Sequence, residues 1–94
     1  MIIVNAKFQL KEGCKEKFIS KTQDLIKSSR PEKGCISCDL YANTEDDNIL
    51  MMLEKWENQQ ALDTHMETEH FKSLGSAIED LMSEDVDIKV YSVD

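Results

Sequence analysis

The segment Gly34–Trp56, GCISCDLYANTEDDNILMMLEKW, decides the fold. From Gly34 to Asn43 the side chains alternate, with Ile36, Cys38, Leu40 and Ala42 on one side and Cys35, Ser37, Asp39 and Tyr41 on the other. That period of two is a strand. Asn43 to Asn48 is polar and turn-prone, so Ile49 to Trp56 is the antiparallel partner in a hairpin. Ile49 to Leu53 is apolar without a break, which implies cover on both faces of that strand.

The hairpin is flanked by a strand and a helix on each side. Upstream, Ile2, Val4, Ala6, Phe8 and Leu10 alternate with Ile3, Asn5, Lys7 and Gln9, giving a half-buried strand. Gly13 lies near the turn, and Cys14, Phe18, Thr22, Leu25, Ile26 and Ser29 then recur at helical steps. The helix must stop before Pro31, because the residue preceding proline avoids helical backbone angles. Downstream, Asn58 caps a short helix running to Glu67, and Thr68 caps a second segment with Glu69 in its first turn. Phe71, Leu74, Ile78, Leu81 and Met82 form its apolar stripe, and Val86, Ile88 and Val90 close the chain as a last strand. The order strand, helix, strand, strand, helix, strand is that of an α+β, ferredoxin-like βαββαβ domain filling residues 1–94. Helices then cover one side of the sheet, and a second copy of the chain is expected to cover the other as a homodimer.

Composition narrows the partners. A formal charge of −8 disfavours nucleic acid and anionic membranes, which are held by clustered Lys and Arg. No apolar run near the start has the length of a signal peptide or membrane span, so a cytoplasmic protein is expected. Three cysteines without an export signal are expected to stay reduced. On a regular strand, Cys35 and Cys38 would point to opposite faces, as suits neither a metal nor a redox pair.

The chain's one tryptophan and both histidines, Trp56, His65 and His70, fall within Glu54–Leu74. The two histidines are five positions apart across the helix break at Thr68, and no third ligand is evident, so no metal site is expected. Each lies at the edge of an apolar stripe, where an imidazole can accept a proton from a bound substrate or simply pack. Trp56 either seals the core or presents a flat ring to an aromatic ligand. Asn5, on the more polar face of the first strand, offers its amide to a substrate oxygen or to water. Met51 and Met52 suit an adaptable pocket.

The spacing E-x-W at Glu54–Trp56, A-L at Ala61–Leu62, and H-x-x-x-x-H-F-K from His65 to Lys72, with Gly34–Tyr41 before it, resembles the antibiotic biosynthesis monooxygenase (ABM) family, and its quinol monooxygenase-like members in particular. The resemblance runs nearly end to end. It implies a dimeric α+β barrel and oxygenation of a quinol-like aromatic by dioxygen with no cofactor: no metal, flavin or haem. By position it implies His65 and His70 as the catalytic histidines and Trp56 as the pocket tryptophan; Asn5 and Met52 are expected beside it as substrate-binding residues on the reading of their own strands. Antibiotic-pathway members have an asparagine where this chain has Met52, so their hydrogen-bonding scheme does not transfer. The positions matching the functional residues of haem-degrading relatives are Ala6, His65 and Gly75, which leaves no axial ligand. The same pattern also resembles enzymes that isomerise small phosphorylated signalling sugars, and a dimeric ligand-binding module without catalysis is the third reading.

Overall fold

The computed structural model describes residues 1–94. Strands β1 (Ile2–Gln9), β2 (Cys35–Ala42), β3 (Ile49–Trp56) and β4 (Asp87–Ser92) form one sheet in the order β2-β3-β1-β4. Every neighbouring pair is antiparallel, with Ile2 opposite Trp56 and Ala6 opposite both Met52 and Ile88. Helices α1 (Lys15–Ser29), α2 (Gln59–Met66) and α3 (Glu69–Ile78) follow the expected order, and a short 3-10 turn, Glu79–Leu81, ends the last of them. This is the ferredoxin-like arrangement. No helix is long and apolar enough to cross a membrane.

The alternation sorts the sheet into two faces. Val4, Ala6 and Phe8 of β1 and Leu50, Met52, Glu54 and Trp56 of β3 are buried, while their odd-numbered neighbours are half-buried or exposed. Ala6, Phe8, Leu50 and Met52 pack with Phe18, Leu25 and Ile26 of α1 and Ile78 of α3 into one core. A smaller core joins Ile2, Val4, Trp56 and Leu62 beneath α2. Burying a side chain such as Phe18 or Leu50 stabilises the fold by about 1.5–3 kcal/mol each.

The helix α1 stripe is as the spacing predicts, and its buried hydroxyls are satisfied within the helix. Thr22 donates to the Phe18 carbonyl at 3.0 Å and Ser29 to the Leu25 carbonyl at 2.7 Å. Beyond it, Arg30 donates from Nε to the Cys38 carbonyl and from its outer nitrogen to Asp39, both at 3.1 Å, which ties the turn after α1 to β2.

Strand β2 departs from strict alternation at its start. Cys35 pairs with Trp56 and Ser37 already pairs with Lys55, so Ile36 is the extra residue of a β-bulge and is 52% exposed. The expectation that Ile36 lies on the same side as Cys38 is thereby corrected. So is the opposite-face reading of the cysteines: the inserted residue lets Cys35 and Cys38 both pack against the main core. Burial, reinforced by Glu54, pushes both thiols up, Cys38 to about 12, so both are held protonated.

Gly34, where the chain enters β2, has φ +87°. A Cβ there would lie 2.5 Å from the Ala61 Cβ of α2, so glycine answers both the left-handed backbone and the close approach. Its carbonyl accepts from the Glu57 N–H at 2.8 Å, which binds this turn to the end of β3.

Candidate functional site

The connection between α2 and α3 places the histidines. Asn58 caps α2 by accepting from the Ala61 N–H at 2.9 Å. Thr68 caps α3 by accepting from the Phe71 N–H at 3.3 Å, and donates its own hydroxyl proton to the His65 carbonyl at 2.6 Å. The break between them turns α3, and the two imidazoles come together although five residues separate them.

They meet on Glu32, in the turn after α1. Its Oε2 lies 2.7 Å from His65 Nδ1 and 3.0 Å from His70 Nε2. An ionised carboxylate only accepts, so each ring presents an N–H to that oxygen. With its proton on Nδ1, neutral His65 keeps a lone pair on Nε2. That nitrogen is buried and makes no hydrogen bond. The nearest acid, Glu54 Oε1, is 3.7 Å away, which is proximity without a hydrogen bond.

Glu54 is the second acid of the site. It is buried on β3, accepts from the Trp56 indole N–H at 3.0 Å, and its carboxyl is pushed above the usual carboxylate range by burial. The Trp56 hydrogen bond and His65 oppose that rise. Trp56 also lies against His65, with ring centroids 4.6 Å apart and planes at 36°. Phe71 holds the same imidazole edge-on at 5.1 Å. His65 is therefore fixed by an indole, a phenyl ring and a carboxylate.

His65 faces a cavity of about 280 Å³ between the sheet and the helices. Thirteen of its seventeen lining residues are hydrophobic, so it suits an apolar or aromatic ligand. Val4 and Met52 on the sheet face Phe71 on α3 across it, and Glu54 and His65 are the groups of its wall with acid-base chemistry. A polar hollow of about 380 Å³ lies beyond, lined by Glu32, Gly34, Asn58 and Thr64 among others. Glu32 touches that hollow while its partner His65 touches the apolar cavity, so the pair connects the two.

The structure thus brings Met52 and His65 to the apolar cavity and leaves three of the expected residues off its surface. His70 stands behind His65 on Glu32, and its side chain is 27% exposed. Trp56 is wholly buried and acts on the cavity through Glu54 and His65. Asn5 points to the other face of the sheet, because Val4 and Ala6 on either side of it line the cavity. Its Oδ1 is buried there without a hydrogen bond. Glu32, 33 positions before His65, carried no local signal. Glu54 did: it shares the inward phase of Leu50, Met52 and Trp56, where a carboxylate is out of place unless it has a task.

Fold and site together define a small α+β domain with a carboxylate-oriented histidine at an apolar cavity. Comparison with known proteins is specific. The model of the family described as antibiotic biosynthesis monooxygenase matches residues 1–74, and this chain belongs to that family. It is 36% identical to the uncharacterized protein sll1783 of Synechocystis over 98% of its own length, spanning 63% of that relative. It is 34% identical to YcnE of Bacillus subtilis, a protein carrying the name "Putative monooxygenase", over 94% of this chain and 93% of that one. A crystal structure of a Methanosarcina mazei Go1 protein superposes with a TM-score of 0.91 at 32% identity, covering 96% of this chain and 89% of the other.

Proposed function

We propose that this chain is a monooxygenase that oxidises a quinol-like aromatic with dioxygen, using His65 Nε2 as the proton acceptor. The observation that carries the reading is this nitrogen: buried, without a hydrogen bond, in the wall of an apolar cavity, with its ring oriented from the far side by Glu32. Family membership and the name of the Bacillus subtilis relative support it.

The chemistry follows from those groups. A quinol hydroxyl gives its proton to Nε2, and the imidazolium formed is stabilised by the Glu32 carboxylate at Nδ1. The quinolate, held away from water, is electron-rich enough to reduce dioxygen by one electron, and the two radicals combine on a ring carbon. Loss of water from the hydroperoxide leaves one oxygen atom on the ring as the hydroxyl of a quinone. Hydroquinone and dioxygen become hydroxyquinone and water, with every electron supplied by substrate, so no further cofactor is needed in this route. Dryness matters because water would solvate the quinolate and divert the intermediate.

A volume of about 280 Å³ fits a compact ring system. Of the cations, only Lys72 lines the cavity, and it already pairs with Glu67 at 3.3 Å, which gives no support to a phosphorylated sugar as substrate. Ile88 and Val90 of β4 line the cavity yet are 53% and 52% exposed, so a second copy of the chain completes the wall in this proposal. Exposed Tyr41 and the unbonded Oδ1 of Asn5 on the outer face of the sheet suit a partner that packs on that face and reaches round the β4 edge to Ile88 and Val90.

Oxygen uptake with a panel of reduced quinones tests the activity. The expected result is a rate well above autoxidation that falls about 10²–10⁴-fold in His65→Ala. A His65→Ala protein that is folded and as fast as the unaltered chain overturns the assignment of the base. Light scattering after size exclusion reads the dimer, and a monomer at micromolar concentration refutes that part.

A further inference from the structure

We infer that Glu32, His65 and His70 form a binding site for one divalent first-row transition metal ion, with Glu54 as its supporting acid. Side-chain atoms of these three residues, drawn from the turn after α1, from α2 and from α3, lie within 4.8 Å of one another. Two imidazoles and one carboxylate are a donor set that zinc, cobalt(II) and iron(II) accept. Metal–ligand bonds of about 2.0–2.2 Å place neighbouring ligands roughly 3.3 Å apart in a tetrahedron. That spacing falls between the 2.7 Å of the Glu32–His65 contact and the 4.8 Å limit of the cluster. The Glu32 and His70 side chains are 16% and 27% exposed, so they have room to turn and water can complete the coordination.

A second observation points the same way. A histidine that binds a metal through one ring nitrogen usually gives the N–H of the other to a carboxylate, which fixes the ring and strengthens its bond. With a metal on Nδ1, the proton of His65 moves to Nε2, the nitrogen that is otherwise buried without a partner and lies 3.7 Å from Glu54 Oε1. In the loaded site that N–H is directed at Glu54, whose carboxylate would draw within hydrogen-bonding distance. Glu54 is itself held in place by the Trp56 indole. Neither imidazole loses a net proton, since each ring proton passes to its other nitrogen. Loading turns His65 Nε2 from acceptor to donor, so the metal-bound and proton-accepting forms of this residue exclude one another.

This site extends beyond the proposed oxygenation, and its test involves no turnover. The tag-free full chain is titrated with cobalt(II), followed by visible absorption and calorimetry, and then back-titrated with zinc. The expected result is one cobalt per chain, d–d bands without a thiolate-to-cobalt charge-transfer band, and displacement by zinc. Glu32→Ala and His70→Ala, each shown folded by circular dichroism, lose the bands. Glu54→Gln weakens binding by about 10–100-fold. No cobalt spectrum in the unaltered chain, undiminished binding in Glu32→Ala and His70→Ala, or a thiolate band from Cys14, Cys35 or Cys38 overturns the inference.

Discussion

Replacing Gly34 by alanine tests how α2, and with it His65, is seated against the sheet. The substitution has two costs that can be separated. The residue sits at φ +87°, where an L side chain loses about 1–2 kcal/mol. Its new Cβ would also lie 2.5 Å from the Ala61 Cβ, so α2 or the turn must shift, which costs about 1–3 kcal/mol as overpacking does elsewhere. Together they destabilise the chain by about 2–5 kcal/mol, a lowering of the melting temperature by at least about 8 °C in a domain of this size. Urea unfolding read by the fluorescence of buried Trp56, at fixed protein concentration, measures the loss. Repeating it in Ala61→Gly removes the collision and leaves the backbone cost, so the two substitutions should couple by about 1–3 kcal/mol. Coupling under about 0.5 kcal/mol shows that the two Cβ positions do not collide and refutes the reasoning.

Three further outcomes are expected. Burial raises the Glu54 carboxyl, so the folded chain holds that proton more tightly than the unfolded one, and stability is lost as pH rises through the folded value. Glu54→Gln should therefore be stabilising near neutral pH with the gain closing toward about pH 4, and a difference constant with pH in urea unfolding contradicts this. Thr68→Ala, which removes the α3 cap and the tie to the His65 carbonyl, should cost about 0.5–2 kcal/mol in the same assay, with no change counting against the cap. Cys38, buried and pushed up to about 12, should react with a thiol reagent only after unfolding; equal rates in native and urea-unfolded protein refute that protection.

What could be read from the sequence was set by local periodicity. The α1 stripe, the caps at Asn58 and Thr68 and the hairpin after Ala42 each depend on residues a few positions apart, and each recurs in the fold. The bulge at Ile36 escaped because an extra residue leaves the pattern on either side of it intact. At the site, Trp56 and His65 stood out by residue type, but their partners did not. Glu32 belongs to a polar turn whose only local message is the bend, and its link to His65 spans 33 positions. The convergence of His65 and His70 depends on the angle between two short helices, which spacing does not encode. Glu54 was legible by phase alone, a carboxylate at the inward step between Met52 and Trp56.

The inserted residue at Ile36 also decides where β2 can lose length. Cys35 and Cys38, three apart in the chain, face the same way because one unit is left out of the pairing count along β2. Deleting Ile36 would leave Cys35 opposite Trp56 and two steps from Cys38, so the ladder would become regular and the turn carrying Gly34 and Glu32 would keep its place. Deleting Asp39 instead would turn Cys38 off the core, because a slip of one residue exchanges the two faces. Two single-codon deletions three positions apart on one outer strand should therefore have opposite fates.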